Sequence, residues 1–111
     1  MLGEFEYLII TAAASLGENA YSAAIRDEIV RATGRTCSIG ALYTTVDRLE
    51  AKGLVQTRMG EATPQRGGRA KRMIQVTAAG VRAAEDFFKA VDRLTRNVSW
   101  APRRLRVTLC R

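Results

Sequence analysis

Apolar side chains along the first third of the chain recur at the spacing of helix turns. Phe5, Leu8, Ile9, Ala12, Ala13 and Leu16 mark a first helix that Gly17 closes. Asn19 is placed to cap a second, in which Tyr21, Ile25 and Ile29 recur every four residues, backed by Ala24, until Gly34. Ser38 then stands at the N-cap position of a third helix. Ile39, Leu42, Val46 and Leu49 line its inner face and Gly53 ends it. Leu54 and Val55 begin a strand, Met59 to Ala70 form a loop rich in Gly, Pro and Arg, and "RMIQV" at 72–76 alternates like the returning strand of a hairpin. Thr77 offers the cap for a last helix carrying Val81, Ala84, Phe87, Phe88, Val91, Leu94 and Val98, with Pro102 expected to stop it.

Three helices, a hairpin and a long helix give an α+β, mostly α, fold: a winged helix-turn-helix with a C-terminal dimerisation helix. The division expected is 1–76 for the winged helix, 77–100 for the last helix and 101–111 for a flexible basic tail. The apolar stripe of the last helix is wider than a small three-helix body can cover. A second copy of the chain is the expected cover, with Phe5, Leu8, Val81, Phe87, Phe88, Val91 and Leu94 at the contact.

At 111 residues there is room for one core. The chain is 47% hydrophobic and 26% charged, outside the composition that keeps chains unfolded. Its net charge of +7 is unevenly spread. Residues 1–55 hold five basic and seven acidic side chains, a net −2. Residues 56–72 hold five and one, and residues 100–111 hold four and none, so each segment carries +4. Two basic blocks on a near-neutral body point to a polyanion, with nucleic acid ahead of an anionic membrane; the winged-helix order of elements narrows the nucleic acid to double-stranded DNA.

Histidine is absent, and Cys37 and Cys110 stand far apart without metal-ligand spacing, so disulfide frameworks and zinc sites are not expected. No cofactor is expected either. Walker-type glycines and a paired-carboxylate loop are both missing, which argues against an enzyme. Glu4 and Glu6 near the start oppose the polarity of an export signal, and no apolar run suffices to span a bilayer, so the chain reads as cytoplasmic.

In a winged helix the third helix enters the major groove and the hairpin reaches the backbone or minor groove. With the apolar stripe inward, Gly40, Ala41, Thr44, Thr45 and Arg48 fall outside and Tyr43 at the border. Small residues on the first turn let the backbone approach a duplex. Ser38 and the neighbouring N–H groups can hold a phosphate, while Arg48 and Lys52 can reach phosphates or a base edge. Ser38 is a helix cap in either case, Tyr43 can instead pack with its hydroxyl satisfied locally, and Arg48 and Lys52 can merely solvate a surface. In "PQRGGRAKR", Arg66, Arg69, Lys71 and Arg72 surround Gly67 and Gly68 at the hairpin tip, fitting phosphate or minor-groove contact.

The segments "LGEFEYLII", "AYSAAIRDEI", "SIGALYTTVDRLEAKGLV" and "GGRAKRMIQVTAAG" resemble, in order and spacing, the PadR family of bacterial transcriptional regulators. The likeness runs from about Leu2 to Ala83. It implies a homodimeric DNA-binding regulator, usually a repressor, whose last helix packs against its partner together with the first. Carried across, the recognition pattern falls on Ser38, Gly40, Tyr43 and Arg48, and the wing pattern on Arg66, Gly67, Arg69 and Lys71. Met73 and Ile74 stand where members commonly have tyrosine, and the single last helix resembles the shorter subfamily. Some members bind small hydrophobic effectors between their last helices, which makes Phe88 and Trp100 candidates for such a pocket. The competing reading is an architectural or protein-interaction winged helix that binds DNA without sequence preference.

Overall fold

The computed structural model describes residues 1–60 and 71–101. Helix α1 spans Glu4–Leu16, α2 Ser22–Thr33 and α3 Ile39–Ala51; strands β1 (Val55–Met59) and β2 (Arg72–Val76) follow, then α4 (Ala78–Thr95). This is a winged helix, mostly helical with one small antiparallel sheet. The strands pair in the register Val55↔Val76, Thr57↔Ile74 and Met59↔Arg72. Side chains alternate across a strand, so Val55 and Ile74 point into the core while Gln56 and Gln75 face out.

The periodic residues of the first three helices close one core. Ile9, Ile25, Leu42, Val46 and Leu49 are fully buried, joined by Ile10 and Ala20. Burying each of the large side chains is worth about 1.5–3 kcal/mol against leaving it in water. Gly34 and Gly53, just past α2 and α3, take φ of 71° and 77°, the left-handed region in which a side chain is penalised.

Two boundaries differ from the sequence expectation. Asn19 does not cap α2: it ends a 3₁₀ turn, Gly17–Asn19, and the cap position falls on Tyr21 without a side-chain bond. The cause lies in the sheet. Ala20 accepts a hydrogen bond from Ile74 N–H at 2.8 Å and Tyr21, in an extended conformation, bridges to Met73, so both residues are held against the sheet before the helix can start. The last helix ends at Thr95 rather than near residue 100; two turns follow, with Val98 N–H donating to the Thr95 carbonyl and Ala101 N–H to that of Val98. Asn97 and Ser99, which favour turns over helix interiors, follow that end. Pro102 and the tail lie outside the described residues.

The start of α4 is pinned to the turn after α3. Thr77 N–H donates to the Leu54 carbonyl, its hydroxyl donates to the Gly53 carbonyl, and Gly80 N–H donates to Thr77 Oγ1 at 3.1 Å. A side chain at Gly80 would collide with the Leu54 carbonyl oxygen and with Val76.

Candidate nucleic-acid interface

Ser38 caps α3 as its sequence position implies: its backbone is extended and its Oγ accepts from Ala41 N–H at 3.1 Å. Helix geometry leaves the Ile39 and Gly40 N–H groups without intrahelical acceptors, at the positive end of the helix dipole. Gly40 and Ala41 are exposed, and nothing crowds the space that a side chain on Gly40 would fill. A flat, donor-rich surface about one helical turn tall results.

Farther along, Tyr43, Thr44 and Arg48 are exposed. Thr44 Oγ1 donates to the Gly40 carbonyl at 3.1 Å, which steadies its side chain and leaves its oxygen free to accept. Arg48 makes no salt bridge among the described residues. Thr45 does not belong to the outer face. It is buried, and its hydroxyl donates to the Ala41 carbonyl at 2.9 Å, which lets a polar residue occupy an inward position.

Several of the anticipated cations are held within the fold. Lys52 Nζ lies 2.8 Å from Glu6 Oε2, and Glu6, on the first turn of α1, is buried. Burial pushes the Glu6 carboxyl up, but the Gly3 N–H at 2.8 Å, Lys52 and the charge of Arg48 together hold it below its usual value. Arg72 lies 2.6 Å from Asp47 and 3.8 Å from Glu50. Lys71 sits 4.2 Å over the ring of Tyr21, a contact that leaves its charge able to meet an anion. Arg66, Gly67 and Arg69 lie outside the described residues.

The anticipated dimer residues divide into two groups. Phe5, Leu8 and Phe87 pack on the chain's own core, with Phe87 stacked on Tyr7 at 4.6 Å and Arg35 4.8 Å over Phe5. Val81, Phe88, Val91 and Leu94 remain exposed along α4, Leu94 at 79%. Phe88 and Val81 border an open groove of about 360 Å³ between α1 and α4, walled by Tyr7, Ile10 and Ala14. Trp100 is not part of that wall and is 78% exposed, so the two aromatic residues suggested for an effector pocket are not brought together. Sequence reasoning missed Glu6, Tyr7, Asp47 and Glu50, whose partners are distant in the chain and leave no periodic trace.

A model of the "Transcriptional regulator PadR-like family" matches residues 13–86, well over half of the chain. The chain belongs to this family. PadR-like proteins are transcriptional regulators rather than enzymes, in keeping with the lack of catalytic residue sets in the sequence. Among solved structures, RosR of H. salinarum is similar at 30% identity, covering 98% of this chain and 89% of that one, with a TM-score of 0.64. A PadR family transcription regulator from Clostridium difficile R20291 shares the fold at 22% identity, with coverage of 85% and 93% and a TM-score of 0.66. F93 from STIV, a winged-helix DNA-binding protein, shares it at 18% identity, with coverage of 87% and 97% and a TM-score of 0.68. No curated protein matches the chain by sequence. No helix among the described residues is long and apolar enough to cross a membrane.

Proposed function

We propose that this PadR-like protein is a homodimeric, sequence-specific DNA-binding repressor that acts in the cytoplasm. The observation that carries the reading is the outer face of α3: a capped N-terminus with free N–H groups, small residues on the first turn, and Thr44 and Arg48 presented outward. In this reading Gly40 and Ala41 admit the backbone to the major groove, Thr44 and Arg48 meet base edges, and Ser38 and Tyr43 meet phosphates. Lys71, with Arg66, Gly67 and Arg69 of the wing, contacts the backbone or minor groove. The exposed Val81, Phe88, Val91 and Leu94 support a second copy on α4, which would present two α3 helices to an inverted repeat.

Selection of bound duplexes from a random pool, at near-physiological salt, tests this. The wild type should enrich an inverted repeat that the Thr44→Ala/Arg48→Ala double variant no longer enriches. A pool that stays random, with binding that fades steeply with salt, would instead identify a non-specific architectural module. For the sense of regulation, a reporter behind the enriched repeat should fall in output when the protein is supplied; a rise would mean activation.

A further inference from the structure

Arg72 spans one flank of α3. Its guanidinium carbon is 5.7 Å from the ring centroid of Tyr43, its Nη2 is 2.6 Å from Asp47 Oδ1, and the same nitrogen is 3.8 Å from Glu50 Oε1. Residues 43, 47 and 50 succeed one another by about a turn, so a single side chain from the loop end of the hairpin lies along two turns of the helix proposed to read DNA. Arg72 is only 20% exposed there, while Asp47 is 66% exposed.

Glu50 holds the wing from its other strand. Its Oε2 accepts from Thr57 N–H at 3.0 Å and from Thr57 Oγ1 at 2.8 Å. Thr57 pairs with Ile74 in the register, and both turn their N–H groups away from the ladder: one to Glu50 of α3, the other to the Ala20 carbonyl before α2. A two-stranded hairpin is marginal by itself, so its angle to the body has to be imposed from outside. The two acids also stand on a helix expected to meet phosphates, where bare carboxylates would repel them.

We propose that Asp47 and Glu50 are positioning residues that fix the angle of the wing to α3, gripping Arg72 and the edge of β1, and that Arg72 is their brace rather than a phosphate contact. This rests on the DNA-binding reading above. To reach a phosphate, Arg72 would have to leave both carboxylates. The wing then meets DNA only at the orientation that α3 dictates, so base reading by the helix and backbone contact by the wing are set together.

Binding of the selected duplex, followed by fluorescence anisotropy over a series of salt concentrations, distinguishes brace from contact. Asp47→Asn and Glu50→Gln each remove a negative charge facing the DNA, so charge alone predicts tighter binding. The brace predicts the opposite sign, a loss of about fivefold for each, the equivalent of one lost hydrogen bond. Arg72→Gln should weaken binding by a similar factor without lowering the salt slope, and Asp47→Asn/Arg72→Gln should be no worse than Arg72→Gln alone. Tighter or unchanged binding by Asp47→Asn, or a slope reduced by about 0.9 in Arg72→Gln, would overturn the proposal. Asp47 bonds only at an exposed position, so its variant remains informative if Glu50→Gln fails to fold. A wild type that binds no duplex would instead remove the DNA-binding reading itself, a separate result.

Discussion

The three-helix body and α4 handle the same kind of amphipathic pattern differently. In the body, the apolar stripe of α3 is covered almost throughout: Leu42, Val46 and Leu49 have no exposed surface, and only Ile39, at the helix start, is partly open. On α4, Phe87 meets Tyr7 and Ala84 packs on the core, but much of the stripe is open, with Val81, Phe88 and Val91 exposed at 41–46% and Leu94 at 79%. The body is therefore finished as a folding unit, whereas α4 is finished only on the side that faces α1. A stripe of this width on a helix of 18 residues is more apolar surface than one small domain can hide. The difference places the buried core in one region and, on the proposed reading, self-association in the other.

The strongest way to break that division is to cut into each region with the same chemical change. Leu42→Ala should cost about 3 kcal/mol of stability, within the 2–5 range for buried leucines, at any protein concentration, as read by urea denaturation. Leu94→Ala should cost less than about 0.5 kcal/mol in dilute solution, its penalty emerging only as concentration rises to where copies associate. Equal, concentration-independent losses would erase the distinction.

A charge placed on the open face sharpens it. Phe88→Glu should weaken self-association by about 2 kcal/mol or more, roughly thirtyfold, while leaving the helical circular dichroism and the body's unfolding intact. Sedimentation equilibrium reads the first and thermal melts the second. A variant that still sedimented as a dimer would show that some other surface makes the contact.

The smallest effect concerns the joint between α1 and α3. The Glu6 carboxyl is held below its usual value of 4.5, so its pairing with Lys52 stabilises the fold above that pH and the contribution disappears as pH falls through the lower folded value. The stability advantage of wild type over Glu6→Gln, on the order of 1 kcal/mol, should be present at pH 7 and shrink as the solution is acidified below the usual carboxylate range. An advantage that grew on acidification would mean that the carboxylate is not the stabilising form.

Local chemistry made much of this architecture legible in the sequence. Ser38 and Thr77 are caps because their hydroxyls reach N–H groups three residues on, and the alternation in "RMIQV" marks the returning strand whose Ile74 is buried beside Val55. What escaped was non-local. The start of α2 was hidden because Ala20 and Tyr21 are drawn into the sheet by β2, more than fifty residues later in the chain. Thr45, polar and set beside the stripe of Ile39, Leu42, Val46 and Leu49, reads as outward, yet it is buried with its hydroxyl bonded to the Ala41 carbonyl. Lys52 and Arg72 looked available to DNA, yet each had a carboxylate waiting: Glu6 from α1, and Asp47 with Glu50 from α3. For the candidate site, the backbone surface of α3 was therefore easier to read than the fate of its neighbouring charges.

On the proposed reading, the finished body presents α3 to DNA while the unfinished α4 pairs two copies. Hydroxyl-radical footprinting of the wild type on the duplex enriched by selection tests both halves together. Two symmetric protected patches are expected, their centres about 34 Å apart, one helical turn of DNA. A single asymmetric patch, or protection spread evenly along the duplex, would contradict that reading.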